Sequence, residues 1–413
     1  MAATDHASEK PGEFDHHEPG LTEAARYARY AELRACPVKH SDRHGGFWIT
    51  GRHAEVETIC RDWATFASGQ GVFIPDLTPG IRSAGLEQDP PEHTRIRRLF
   101  VEMLGRPAVR AAEPEIRAIT RRHVTAFAET GGGDFMAGVA VRVPVEAIAV
   151  MAGFSGSTVA RVRELTEQLW NRLTGRGTPP RPGEPTLGRL FIEEAELRRA
   201  EPRDDFLTRL AAEDLTDREL VAFLTSTAVA GHETTMAGMG NLAYQLASDP
   251  PLQARLAATP VDELPAFAAR LVDESLRHRS PVQLMARTAV ADTTVGGEPV
   301  AAGERVVVHF GAANRDPARW AEPGRLPPDE FDPDRDATGH VAFGWGLHRC
   351  VGAFLATLEL RLLVEELARY ELTVAAEPAP PVPTAGGSFM GFERLDLTVS
   401  PRRARGAPPG PGA

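Results

Sequence analysis

The stretch Phe343-Gly344-Trp345-Gly346-Leu347-His348-Arg349-Cys350-Val351-Gly352 decides how the chain is read. It places a single cysteine in a loop punctuated by glycine, and an apolar, helix-forming run follows from Ala353 through Leu367. Gly344 and Gly346 admit backbone angles that a side chain would forbid, so the loop can close tightly around one sulfur. Cys350 then falls at or just before the first turn of a helix, where free N–H groups and the positive dipole end favour a thiolate over a thiol. Such a thiolate, with His348 and Arg349 beside it, is suited to ligating iron in an anionic macrocycle. The plain alternative is that Cys350 is a small buried hydrophobe.

Three further clusters carry chemistry, and each has a plain alternative. Glu274 and Arg277 stand at i,i+3 on a helix, a spacing that lets a carboxylate and a guanidinium pair; such pairs are commonly surface decoration. Ala230-Gly231-His232-Glu233-Thr234-Thr235 lies midway along a long helical run. Glycine costs about 1 kcal/mol in a helix interior, so close approach is expected at Gly231. The ordinary role of a helical threonine such as Thr234 is a bond back to the carbonyl one turn earlier. In Asp89-Pro90-Pro91-Glu92-His93-Thr94-Arg95-Ile96-Arg97, His93 and Arg97 share a helical face, where solvated charge is the default. His232-Glu233 also opens a zincin-like pattern, but Met236 stands where the second metal-binding histidine is required.

Composition narrows the class. The chain has 413 residues, 42% hydrophobic and 25% charged, which is ordinary for a globular protein able to bury a sizeable core. A net charge of −11 argues against nucleic acid as a partner. Cys36, Cys60 and Cys350 are odd in number and far apart, so neither a zinc cluster nor a c-type haem attachment is indicated, and a reducing cytoplasm fits. The polar N-terminus has no apolar signal core, and no apolar run is long enough to span a bilayer.

Along the chain, helices are expected at 22–34, 53–61, 91–104, 110–130, 139–152, 157–174, 184–200, 216–248 and 264–279. Strands are expected at 47–50, in hairpin pieces between 284 and 310, and at 395–399. Thr216-Asp217-Arg218-Glu219 is a capping box at the head of the long helix. Residues 68–89 read as a long functional or mobile loop, and 311–342 as a Pro- and Asp-rich coil. The expected class is mainly α with a small β subdomain.

Phe-Gly-x-Gly-x-His-x-Cys-x-Gly closely resembles the haem-binding signature of the haem-thiolate monooxygenases, the cytochrome P450 superfamily, in its soluble bacterial type. The Glu274-x-x-Arg277 pair and the acid-alcohol helix resemble two further motifs of that family, in the same order. The resemblance implies a triangular helical prism, with one catalytic domain over 21–400, a disordered segment at 1–20 and a flexible tail at 401–413. It implies haem b with Cys350 as thiolate ligand and metal ligand, cradled by Phe343, Gly344, Gly352, Ala230 and Gly231, with Gly231 making room for oxygen. His93, Arg97, Arg287 and His348 match positions that hold the haem propionates, and Glu233 and Thr234 the proton-delivery pair. The Glu274–Arg277 pair would be buried and structural. A third arginine usually joins it; the family's position before Phe331 holds Glu330, which makes Arg335 the candidate substitute.

The implied reaction uses O2 and external electrons, from a ferredoxin and its reductase, to hydroxylate, epoxidise or O-dealkylate a small organic substrate. Arg349 and Arg361 are candidate docking charges. Natural-product tailoring and aromatic-acid catabolism are the substrate settings implied. Arg82, Ser83, Val229, Val282, Leu284 and Phe389 are expected to line the pocket, with Arg82-Ser83 placed to hold a carboxylate. Oxidative coupling, a peroxide-driven oxidation and a non-enzymatic haem carrier are the alternatives; the acid-alcohol pair speaks against the last, since a carrier gains nothing from a proton relay.

Overall fold

Apolar residues at helical spacing put most of the chain into helices. In the computed structural model these are α1 (Glu23–Ala35), α2 (His53–Arg61), α3 (Glu92–Leu104), α4 (Arg106–Glu129), α5 (Arg142–Ala152), α6 (Ser157–Leu173), α7 (Leu187–Ala200), α8 (Phe206–Ala212), α9 (Asp217–Ala247), α10 (Pro250–Ala258), α11 (Leu264–His278), α12 (Phe310–Ala313), α13 (Pro317–Trp320) and α14 (Ala353–Leu367). The strands are β1 (Lys39–Ser41), β2 (Phe47–Thr50), β3 (Phe66–Ala67), β4 (Gly132–Asp134), β5 (Leu284–Ala289), β6 (Thr293–Val295), β7 (Glu298–Val300), β8 (Arg305–His309), β9 (Tyr370–Val374), β10 (Val382–Thr384), β11 (Phe389–Gly391) and β12 (Asp396–Pro401). The structure describes residues 15, 23–76, 82–154, 156–173, 178, 181, 183–375, 382–384 and 388–402. The expected disordered segment, Asp15 apart, and the tail beyond Arg402 lie outside these residues.

α9 spans 31 residues, about 46 Å at the helical rise. Its cap is reciprocal: the Glu219 N–H donates to the Thr216 hydroxyl, and the Thr216 N–H donates to the Glu219 carboxylate at 2.9 Å. That amide bond, the Thr216 hydroxyl and Arg95 together hold the Glu219 carboxyl down at about 2. Along the first half of α9 a large apolar cluster joins α3, α5, α6, α7, α8 and the first half of α14. Along its second half, Met239, Leu242 and Leu246 pack with α4, α10, α11 and the second half of α14. α9 and α14 are therefore the shared walls of both cores.

The main sheet has the order β1-β2-β8-β5-β3, with β2 and β8 parallel and the remaining pairs antiparallel. β4, β12 and β9 form a second sheet. The expected elements are present, but the short strands β1, β3, β4, β9, β10 and β11 are not among them, and polar caps start helices where none is expected. Pro250 does not only end α9; the Asp249 side chain accepts the Leu252 N–H and α10 begins at Pro250. Asp205 caps α8 and Asp316 caps α13, so the expected coil at 311–342 contains short helices. The helix expected from residue 139 begins at Arg142, after a π-helical turn at Met136–Ala140. β12 reaches Pro401, and Arg402 donates to the Gln253 carbonyl at 3.2 Å, so the tail starts later than position 401.

Candidate active site

Cys350 sits where the loop turns into α14. Its N–H donates to the Phe343 carbonyl at 2.8 Å, and the Gly344 N–H donates to the Val341 carbonyl, so two bonds close the loop. Gly344 and Gly346 have φ of 65° and 67°, and a Cβ on Gly346 would lie 2.2 Å from the Cys60 carbonyl oxygen. Gly352 caps α14, and the sulfur is approached by the N–H groups of Gly352 and Ala353. The helix-end argument favours a thiolate, but burial wins for the free group. It pushes the Cys350 thiol up, against the N–H groups, Arg97 and Arg349. A bound cation is what reverses that balance, since a coordinating thiol is deprotonated outright. Cys350 is accessible yet closely surrounded by protein, which places it on the wall of a cleft.

Beside the loop, two imidazoles meet edge to face. The rings of His93 and His348 are 4.6 Å apart. Both are buried, and none of their ring nitrogens has a hydrogen-bond partner. The nearest charge to His348 Nε2 is Asp89 Oδ1 at 3.5 Å. Burial, then Arg287 and His93, push the His348 pKa down to about 4. Arg287 is buried on β5, with one bond to the Ala286 carbonyl at 2.8 Å. Arg97 donates to the Arg349 carbonyl at 2.6 Å, bracing the cysteine loop. Unpartnered buried donors beside cationic guanidiniums fit a ligand that brings its own carboxylates. A sulfur within the same loop completes a donor set suited to haem.

Behind the loop, Glu274 and Arg277 are fully buried and bidentate, at 2.7 and 2.8 Å. Arg277 also donates to the carbonyls of Asn314, Pro328 and Glu330, and Glu274 accepts the Asp332 N–H. Glu330 thus contributes its backbone. Arg335 Nε lies 3.7 Å from Glu274 Oε1, and Arg335 Nη1 donates to the Trp320 carbonyl. The pair ties residues 314–335 to α11.

On α9 the Thr234 hydroxyl donates to the Ala230 carbonyl at 2.8 Å, so its lone pairs remain as acceptors. Ala230 is exposed midway along a largely buried helix, while Val229, Glu233 and Thr234 are half-buried on the same face. One turn earlier that face is covered: the Ala84 N–H donates to the Ser226 hydroxyl at 2.9 Å. Gly231 lies elsewhere. A Cβ there would lie 2.6 Å from Ile148 Cδ1 of α5, so the missing side chain serves helix packing, not room for oxygen.

The loop at 68–89 is fastened rather than mobile over its described part. The buried Glu87 carboxylate accepts the N–H groups of Val72 and Ser83; Asp89 accepts those of Ser68 and Gly69. Arg305 donates to the Gly71 carbonyl at 2.8 Å. Arg82 is held by Asp76 at 2.6 Å, so its guanidinium already has a carboxylate, and Ser83 belongs to the turn that Glu87 closes. Leu284 is also corrected: it faces the sheet core with Tyr30, Ile49 and Val307. Strand alternation puts Met285, with Arg287, on the other face. Val282 and Phe389 are half-buried and joined by a β-bridge, and the Phe389 ring lies 5.9 Å from Phe73.

Two carboxylates escaped the reading of the sequence. Glu87 had no signal beyond an acid in a Gly/Pro-rich loop. Glu359 of α14 is 1% exposed, lies at the seam of the two cores and has Oε2 without a partner; burial raises its pKa well above the usual range. Its signal is an acid inside the apolar run Leu358-Glu359-Leu360.

Among the described residues no helix is long and apolar enough to cross a membrane. The family model for cytochrome P450 matches residues 189–394. Putative cytochrome P450 126 of Mycobacterium tuberculosis is 33% identical over 364 residues, covering 83% of this chain and 85% of the relative. Cytochrome P450 107B1 of Saccharopolyspora erythraea is 33% identical over 381 residues, covering 86% and 90%. Among solved structures, CYP109Q5 from Chondromyces apiculatus superposes with a TM-score of 0.81 at 27% identity, over 96% of this chain and 100% of that one. With relatives at this identity matching nearly end to end around the Cys350 loop, the chain belongs to the cytochrome P450 family and is a monooxygenase whose haem takes a cysteine thiolate as ligand.

Proposed function

We propose that the chain is a haem b monooxygenase of the cytoplasm that oxidises a small organic molecule with electrons from a ferredoxin and its reductase. The observation that carries this reading is the pair of buried, unpartnered imidazoles of His93 and His348 beside Cys350 and Arg287. These groups, with Arg97, would hold the haem carboxylates, and Cys350 would hold the iron. Bound haem with a thiolate ligand supplies the activation of O2. The chain's own residues do the rest. The Thr234 hydroxyl, its proton committed to the Ala230 carbonyl, accepts a hydrogen bond from the reacting group and keeps it in place. Glu233, 13% exposed at its side chain, moves a proton toward that hydroxyl by rotating. Val229, Val282, Met285 and Phe389 offer the substrate an apolar wall, which suits hydroxylation, epoxidation or O-dealkylation of an apolar natural product or aromatic.

Electron entry is assigned to the surface beside the cysteine loop. Arg349 is exposed there, and Arg106 lies over the ring of exposed Phe354 at 4.8 Å. Arg361 is excluded as a docking charge, because Glu113 and Glu365 already hold it.

The test is spectroscopic. Reduced protein with carbon monoxide should show the red-shifted Soret band of a thiolate ligand; Cys350→Ala should abolish it, and Cys36→Ala and Cys60→Ala should keep it. A normal band in Cys350→Ala would reject the site. Product formed with ferredoxin, reductase and NADH but not with hydrogen peroxide alone separates the monooxygenase from a peroxide-driven enzyme.

A further inference from the structure

A cavity of about 380 Å³ lies against α9 beside Glu233. α6 contributes Glu167 and Asn171 to its wall, α9 contributes His232 and Glu233, and Glu393 and Asp134 come from the segments around β11 and β4. Its mouth and floor differ. Asn171 and Glu393 are exposed, whereas His232 is 1% exposed. At roughly 30 Å³ per molecule, the space holds about ten waters.

His232 gives the floor its character. The Val141 carbonyl faces the ring, though without ideal hydrogen-bonding geometry, and Glu233 Oε1 is 3.9 Å from Nδ1, too far to serve. A neutral imidazole offers one donor and one acceptor, and leaving either unmet in a buried position is costly. A water on the cavity floor would meet the nitrogen that the Val141 carbonyl does not serve.

We propose that this cavity is the proton inlet of the site, with Glu167 as the relay carboxyl in its wall and His232 as the positioning residue that orders the innermost water. The inlet rests on the proposed role of Glu233. Glu167 releases a proton from its carboxyl to the water chain, Glu233 takes one from the inner end, and bulk water at the mouth returns one to Glu167. One proton moves inward, and no charge is left behind.

The charges around the wall agree with these roles. Burial raises the Glu167 pKa, Glu164 adds to the rise, and Arg163 and Arg142 oppose it. Glu167 therefore keeps its proton to higher pH than an exposed glutamate does. Burial holds the His232 pKa at about 4, with Arg163 adding to it and the Val141 carbonyl opposing, so the ring stays neutral and works as a hydrogen-bonding hub. Asp134 is committed to the backbone, accepting the N–H groups of Met136 and Leu395.

The test uses the full-length haem-loaded enzyme with its redox proteins and has a readout independent of turnover. In resting protein, infrared titration of the carboxyl stretch should show protonated side chains persisting above the ordinary glutamate range of roughly 4.3, from Glu359 and Glu167; in a Glu359→Gln background the Glu167 band should remain, and adding Glu167→Gln should remove it. In turnover, Glu167→Gln should slow NADH oxidation about tenfold or more and raise the solvent hydrogen isotope effect. Glu167→Asp should restore both, and Glu196→Gln, an exposed glutamate of α7 outside the cavity wall, should change neither. His232→Phe should raise the isotope effect while keeping the infrared band. If Glu233→Gln slows the enzyme and Glu167→Gln does not, the inlet is overturned and the role of Glu233 stands. If neither does, the reading of Glu233 falls, and the inlet falls with it.

Discussion

Around Cys350 the molecule is held by backbone hydrogen bonds and by a buried, bidentate ion pair with every group engaged. Around Glu233 it is held by apolar helix packing, and its polar groups face a cavity that reaches solvent. One side holds a ligand atom in a frame of backbone bonds. The other keeps a carboxyl, an imidazole and a hydroxyl within reach of water. A metal ligand tolerates no drift, whereas proton delivery needs groups that rotate and exchange, so the two sides are built by opposite means.

The largest expected effect lies on the rigid side. Arg277→Ala leaves Glu274 buried, with the Asp332 N–H and the more distant Arg335. The loss of stability should be about 3–5 kcal/mol, with haem content falling alongside, read from denaturant midpoints and the Soret absorbance. An unchanged midpoint would break the contrast. On the open side, Thr234→Ala should barely move the midpoint. It should keep consuming NADH near the normal rate while hydrogen peroxide replaces product, a loss of coupling of up to about a hundredfold. Tight coupling in Thr234→Ala would mean that a substrate hydroxyl takes its place.

Glu359→Gln should have a smaller effect that depends on pH. The folded protein holds this proton where the unfolded chain has already lost it, so stability falls as pH rises from about 4.5 through the raised folded value. The amide removes that slope and should leave the variant more stable than the parent at alkaline pH. His232 has the opposite sign, costing stability as pH falls from 6.5 toward about 4, and that limb should survive in Glu359→Gln. Identical alkaline slopes would show that Glu359 is ionised in the folded state. The smallest effect should be that of Arg82→Ala, about 0.2–1 kcal/mol, because its pair with Asp76 is partly exposed. Benzoate-like acids and their methyl esters should be affected alike, as measured by the haem spin-state change. A selective loss for the acids would return Arg82 to the substrate pocket.

What could be read from the sequence was what is built locally. The cysteine loop needs consecutive residues with particular backbone freedom, so its pattern survives in one contiguous phrase. The capping box and the absence of proline until Pro250 marked α9 for the same reason. What could not be read depends on partners distant in the chain. Gly231 looked like space for a ligand because its neighbour Ile148 belongs to another helix. The loop at 68–89 read only as functional or mobile, because carboxylates that bind backbone N–H groups leave no periodicity. Leu284 looked like a pocket residue because strand phase cannot be fixed from the sequence to one residue. The cavity beside Glu233 is assembled from α6, α9 and the segments around β4 and β11, and no single stretch announces it.

The parallel pairing of β2 with β8 sets an order of events during synthesis. β2 pairs locally with β1, but its other edge, Trp48 to Thr50, meets Val306, Val307 and Val308 only far along the chain. Helices α3 to α9 can pack as they leave the ribosome, but the N-terminal hairpin must wait with one edge open until β8 follows it out. Cys350 arrives later still. Cofactor capture is therefore a closing step of biogenesis, and a ribosome stalled between α9 and β8 carries a helical body with an open strand edge, the state most exposed to chaperones and to aggregation.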